Sequence, residues 1–265
     1  MPRAIAAGSV SIDYVDSGSG EPALLLLPGW CSSRRVFERL LPRVSSTRRT
    51  VSLDWRAHGG SELPQGDFGS EALVEDALAV IGASGARRVV PVAQAHASWI
   101  ALELRRRLGD RVPKLVLLDW LILDPPPPFL AVLEALQDRD RWEQARAGLF
   151  AMWLEHVDDP VVTRFVKEDM GSYGYEWWAR AGREITRAYA EAGSGLRALR
   201  ALDPPVPTLH LYAQPPHPEF LAAQRAFAVE NPWFRVERLS TNSHFPSLEA
   251  PERVAEAIER FVGDG

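Results

Sequence analysis

The chain has 265 residues, 46% of them hydrophobic and 25% charged, with a net charge of −5. That is ordinary globular composition, long enough for one large α/β domain or one domain with an insertion. The acidic balance argues against a nucleic-acid binder. The densest basic run, Arg105-Arg106-Arg107, ends an amphipathic pattern, where cations suit the helix dipole. The longest apolar runs are too short to span a bilayer. Residues 1–20 lack the apolar core of a signal peptide, and the single Cys31 allows no internal disulfide. The expectation is a soluble, cytoplasmic protein that keeps its thiol reduced.

In chain order, short apolar runs alternate with amphipathic stretches. Ala23-Leu24-Leu25-Leu26-Leu27 reads as a buried strand ending at Pro28-Gly29. Residues 34–44 read as a helix with Val36, Phe37, Leu40 and Leu41 on one face. Residues 50–55 read as a strand, and 70–81 as a helix with Leu73, Val74, Ala77 and Leu78 at 3–4 spacing. A strand over 88–92 leads into a helix over 96–108, and a strand over 115–118 ends at Asp119. Further on come a strand over 206–212, a helix over 219–229 and a strand over 234–239. A closing helix over 251–262 has Pro251 in its first turn. This alternation implies a mostly parallel sheet with helices on both faces.

Between residues 121 and 202 the strand pattern disappears. The segment opens with Pro125-Pro126-Pro127-Pro128 and continues with aromatic-rich helical stretches carrying Trp142, Phe150, Trp153, Tyr173, Tyr175, Trp177 and Trp178. The expected organisation is a core of residues 1–120 and 203–265 with a helical cap over 121–202. Of the nine tryptophans, Trp30 and Trp120 stand at strand ends and are candidates for lining a flat aromatic pocket.

Ligands of open α/β sheets sit at the carboxyl ends of the strands. Collected there are Gly29-Trp30-Cys31-Ser32, Arg56-Ala57-His58-Gly59, Ala95-His96, Asp119-Trp120 and Ser243-His244. Ala95, Asp119 and His244 follow the order nucleophile, acid, histidine, with a strand-to-helix elbow around the first. That is the signature of the α/β-hydrolase fold. The elbow Val92-Ala93-Gln94-Ala95-His96 carries no nucleophilic atom, so an acyl-enzyme cannot form on Ala95. Ser98 lies a turn into the helix, and Cys31 reads as a small buried residue. The loop after Tyr212 offers no aspartate, which leaves Asp119 to orient His244. An Asp–His pair without a nucleophile is a general base. His58 and His210 read as structural.

Gly29-Trp30-Cys31, Pro91-Val92, His96, Leu118-Asp119-Trp120-Leu121, Gly148-Leu149-Phe150, Trp153-Leu154, Tyr173-Gly174-Tyr175, Asn231-Pro232-Trp233-Phe234 and His244-Phe245-Pro246 resemble the cofactor-free 2,4-dioxygenases of 3-hydroxy-4(1H)-quinolones. The resemblance implies that His244, oriented by Asp119, takes the proton from the substrate 3-hydroxyl. The anion then reacts directly with O₂, with no cofactor and no metal. A peroxide at C2 attacks the C4 carbonyl, and the ring opens to an N-acylanthranilate and carbon monoxide. The backbone N–H groups of Trp30 and His96 match the oxyanion hole, and Trp153 a tryptophan lining the cavity. Ala95, Ser32 and Trp120 fall at the substrate. The partners implied are an aromatic N-heterocycle, methyl- or longer alkyl-substituted at C2, and O₂.

Two positions depart from the family pattern: Ala95 replaces an elbow serine, and Ser32 replaces a histidine. Losing one hydroxyl contact costs about 0.5–1.5 kcal/mol, a factor of a few to about tenfold. Three other readings compete. One is an esterase-like hydrolase whose nucleophile has been replaced. Another is a non-catalytic binder of small ligands. The third is a metal oxygenase using His156-Val157-Asp158 or His217-Pro218-Glu219, a short pattern that arises easily by chance.

Overall fold

In the computed structural model, which describes residues 2–263, the strands are β1 (Arg3–Ile5), β2 (Ser11–Ser17), β3 (Ala23–Leu27), β4 (Thr50–Leu53), β5 (Val89–Gln94), β6 (Leu115–Leu118), β7 (Thr208–Tyr212) and β8 (Phe234–Arg238). They form one sheet in the order β1-β2-β4-β3-β5-β6-β7-β8. The pairs β1–β2 and β2–β4 are antiparallel. From β4 onward the pairings are parallel. The fold is thus a mostly parallel sheet, as the alternating pattern implies. The two N-terminal strands escape the apolar pattern because β2, Ser-Ile-Asp-Tyr-Val-Asp-Ser, mixes polar residues with its buried Ile12 and Tyr14.

Successive strand residues face opposite sides, and the core divides accordingly. Leu25, Leu27, Ala93, Leu115 and Leu117 face one side. There they meet α2 (Ser70–Ser84), α3 (Ser98–Leu108) and α9 (Pro218–Glu230) through Val74, Ala77, Ile100, Leu104 and Phe220. Leu24, Leu26, Val90, Val92, Val116 and Leu118 face the other. Their partners include α1 (Leu41–Ser45), the short α10 (Pro246–Glu249) and α11 (Pro251–Gly263), through Val44, Leu248, Val254, Ile258 and Phe261.

The helix expected over 34–44 is two pieces: a 3₁₀ turn over Arg34–Phe37, capped by the Ser33 side chain, and α1. Pro42 stands at the start of α1. It has no N–H to continue a ladder, and its ring would clash with the carbonyl four residues back. A single helix through it is therefore disfavoured.

Between β6 and β7 the chain forms α4 (Pro127–Leu136), α5 (Trp142–Trp153), α6 (Pro160–Arg164), α7 (Tyr175–Ala192) and α8 (Gly195–Arg200). α4 and α7 approach so closely that a Cβ on Gly182 would lie 2.6 Å from the Leu133 carbonyl oxygen. Polar bonds pin these helices over the carboxyl ends of the strands. The Asp169 carboxylate accepts from the Ser33 N–H at 3.1 Å and its hydroxyl at 2.7 Å. The Trp177 indole donates to the Ala57 carbonyl at 2.8 Å. Ser70 N–H donates to Glu184 at 2.8 Å. Among the described residues, no helix is long and apolar enough to cross a membrane.

Candidate active site

Four strand ends share an uncommon backbone. Cys31 after β3, Ala57 after β4, Ala95 after β5 and Asp119 after β6 all have positive φ, at 52°, 62°, 50° and 48°. Such conformations cost a non-glycine residue of order 1–3 kcal/mol each and cluster at functional sites. Here each one turns the chain sharply away from the sheet. The turns after β3, β5 and β6 border a cavity of about 560 Å³ whose wall also includes residues of α4, α5 and α7.

Gly29, Trp30, Ser32, Gln94, Ala95, His96, Asp119, Trp153 and His244 all line this cavity. Asp119 and His244 meet there: His244 Nδ1 lies 2.8 Å from Asp119 Oδ1. The other carboxylate oxygen accepts the N–H of Ala213 at 2.6 Å and that of Gln214 at 3.2 Å. Asp119 is buried, with both oxygens occupied. Its bond to Nδ1 sets the imidazole tautomer and leaves Nε2 for the cavity. The His244 ring stacks on Trp153 at 5.1 Å and 11°. Its carbonyl accepts from the Gln94 side chain at 2.8 Å. Side chain and backbone are therefore both held.

The elbow is present without a nucleophile. Ala95 turns its methyl to the cavity floor, next to Gly29, where an added Cβ would lie 3.9 Å from that methyl. Ser98 is fully buried and off the cavity wall, and Cys31 is buried with its thiol pushed well up by desolvation. Ser32 lines the wall; its hydroxyl makes one long bond, 3.3 Å, to the Ser33 carbonyl. The Trp30 N–H finds no backbone acceptor among the described residues. His96 sits in the first turn after β5, where N–H groups lack partners within the helix.

Trp120 does not line the cavity. It follows the bend at Asp119 and points into the core on the other side of the sheet. Its indole is fully buried, edge-on to Trp99 at 4.8 Å and packed against Gly195. It belongs to the core that supports Asp119.

His58 and His210 are structural. His58 Nδ1 bonds the Arg56 carbonyl at 2.8 Å, and burial lowers its pKa to about 4. His210 bridges Gln224 at 2.6 Å and the Trp120 N–H at 3.3 Å, with its pKa lowered to about 4 for the same reason. The His210–Trp120 bond gives a partner to the first N–H after the bend at Asp119. His156 and His217 are exposed at the cavity mouth. Among the described residues, no group of three or more His, Cys, Asp or Glu side chains is placed to hold a metal ion.

Sequence reasoning missed much of the wall. Leu133 and Leu136 on α4, Leu149 on α5, Met170, and Ala181 and Ile185 on α7 supply apolar wall to the same cavity. Phe129 and Arg238 also went unnoticed, and Gln94 was read only as part of the elbow. The helical residues carry no distinguishing signal, because an apolar side chain facing a cavity looks the same in sequence as one facing a core.

Residues 24–257 match the profile of the alpha/beta hydrolase family. The chain is 37% identical to a 2-heptyl-3-hydroxy-4(1H)-quinolone dioxygenase of Mycobacteroides abscessus, over 96% of each sequence. It is 35% identical to a 1H-3-hydroxy-4-oxoquinoline 2,4-dioxygenase of Pseudomonas putida, over 94% of this chain and 95% of the relative. A solved structure of an AqdC variant bound to its substrate, the Pseudomonas quinolone signal, superposes with a TM-score of 0.94 at 35% identity, covering 99% of each chain. The chain belongs to the alpha/beta hydrolase family. Within that fold it is a member of the 3-hydroxy-4-quinolone dioxygenases, a ring-cleaving branch whose chemistry is oxidative.

Proposed function

We propose that this protein opens the heterocycle of a 2-alkyl-3-hydroxy-4(1H)-quinolone with O₂, releasing carbon monoxide and an N-acylanthranilate. The observation that carries the reading is the 2.8 Å Asp119–His244 contact beside an elbow that ends in a methyl group. A base is in place and a nucleophile is not. His244 Nε2 takes the proton of the 3-hydroxyl, and Asp119 holds the resulting imidazolium. The substrate anion is the electron donor, so the reading calls for no cofactor. O₂ adds at C2, the peroxide attacks C4, and C3 leaves as carbon monoxide. The N–H groups of Trp30 and His96 stabilise charge on the C4 oxygen. Ala95 and Ser32 form the floor beside the ring, and Trp153 holds the base by stacking.

The same reading divides the chain in two. Residues 1–120 and 203–265 carry the base, its acid and the oxyanion donors, and residues 121–202 shape the substrate. A cavity of about 560 Å³ is in the range that takes drug-sized ligands. The apolar wall formed by Leu133, Leu136, Leu149, Met170, Ala181 and Ile185 suits an alkyl chain longer than methyl. A cytoplasmic location accords with the single thiol, Cys31, being free and buried.

The test is aerobic incubation of the purified, chelator-treated protein with 2-heptyl-3-hydroxy-4(1H)-quinolone. Loss of quinolone absorbance with O₂ uptake and carbon monoxide release is expected. His244→Ala should lose the reaction while still binding neutral substrate. Absence of turnover in both the native protein and Ala95→Ser would refute the reading, and activity restored only by Fe²⁺ would favour a metal oxygenase.

A further inference from the structure

The cavity holds a second imidazole that the dyad does not use. The His96 side chain rises from the elbow towards the inserted helices and lines the same cavity as His244. It stacks on Phe129 of α4 at 5.7 Å and 19° and meets Tyr189 of α7 edge-on at 5.7 Å and 81°. The Tyr189 hydroxyl is committed to the Leu121 carbonyl. The two histidines thus stand alike, each stacked on an aromatic ring from a helix above, His244 on Trp153 and His96 on Phe129.

The protonation of His96 follows from its surroundings. Burial, and next His244, lower its pKa to about 3, which favours a neutral ring at neutral pH. Nδ1 is buried without a partner. A buried N–H with no acceptor is rarer in proteins than a buried acceptor with no donor, which favours placing the proton on Nε2. That nitrogen has no protein partner among the described residues and, unlike Nδ1, is not closed off from the cavity. A neutral imidazole N–H can polarise a carbonyl without delivering a proton to it. An imidazolium would instead reprotonate the anion that His244 creates.

We propose that the side chain of His96, separately from its backbone N–H, is a catalytic residue that donates a hydrogen bond from Nε2 to the carbonyl oxygen of the bound ring. The assignment rests on the quinolone reading above. It gives the C4 oxygen a third donor beside the two backbone N–H groups, and makes the ring recognition depend on a group that does not titrate in the working range.

The test compares His96→Leu, which removes the donor, with His96→Gln, which restores an N–H on a side chain of similar reach; His96→Met replaces the leucine variant should that fail to fold. Both keep the backbone N–H. With 2-heptyl-3-hydroxy-4(1H)-quinolone, His96→Leu is expected to lower kcat/KM by about 10- to 100-fold, as for one hydrogen bond to a developing charge. His96→Gln should recover most of that loss. The midpoint of the pH profile should stay where it is, because the titrating group is another residue. The idea is overturned by a leucine variant as active as the native protein, by a glutamine variant as impaired as leucine at unchanged melting temperature, or by a shifted profile midpoint. Equilibrium binding of 2-heptyl-4(1H)-quinolone, which lacks the 3-hydroxyl and cannot react, separates the two claims. If the native protein shows no turnover, the dioxygenase reading falls and binding still judges His96: weaker for Leu but not for Gln supports the donor, and equal affinity in all three refutes it.

Discussion

His244 and Asp119 were legible in the sequence because absence was informative. No aspartate follows Tyr212, which left the preceding strand end to offer one, and Asp119 there lies 2.8 Å from His244. Trp120 was misread for a related reason: its position at the strand end was visible, but which of two neighbours would turn towards the cavity was not. Ala95→Ser places a hydroxyl on the cavity floor and should change kcat/KM by no more than about tenfold in either direction, without the burst of an acyl-enzyme. A burst with an ester substrate would show that the site had been a hydrolase lacking only its nucleophile.

Among the elements, β3 to β8 were read, β1 and β2 were missed, and the inserted helices were not separated from one another. The central strands announce themselves by apolar runs, whereas β2 mixes polar residues into its pattern and α4 and α7 present apolar residues both to each other and to the cavity. Pro42 could have divided the 34–44 segment from sequence alone. Ala181→Phe would push a ring into the cavity beside Leu133 and Ile185. It should depress turnover of the 2-heptyl substrate far more than that of the 2-methyl one, measured as the ratio of kcat/KM values. An unchanged ratio would move the alkyl chain elsewhere. In the loop after β4, Arg56 is held by the buried Asp76 through its N–H at 3.0 Å, its Nε at 3.0 Å and its Nη2 at 2.6 Å. Asp76→Ala leaves a buried guanidinium unpaired and should cost about 3–5 kcal/mol of stability in urea unfolding. A loss below about 1 kcal/mol would mean that the pair does not anchor the loop.

Across the molecule, three histidines are kept neutral by burial. His58 and His210 are lowered to about 4 and His96 to about 3, from an ordinary value of 6.5. Each binds a proton more readily in the unfolded chain than in the folded one. Their contribution is therefore full above about 6.5 and is lost progressively as the pH falls towards the folded values. Asp54 and Asp76, raised by burial, act in the opposite sense and blunt the effect. Urea midpoints should fall between pH 7 and 5, and His58→Asn should flatten the slope. A midpoint that rises over that interval would contradict the assignment of neutral histidines.

In the proposed reaction an anion made by His244 reacts directly with O₂ across C2 and C4. Reaction of 2-heptyl-3-hydroxy-4(1H)-quinolone under ¹⁸O₂, followed by mass spectrometry of both products, tests it most directly. The account predicts two ¹⁸O atoms in the N-octanoylanthranilate, one at the new carboxylate and one at the acyl carbonyl, and none in the carbon monoxide. Label in the carbon monoxide, or a single labelled atom in the anthranilate under conditions where water does not exchange, would contradict it.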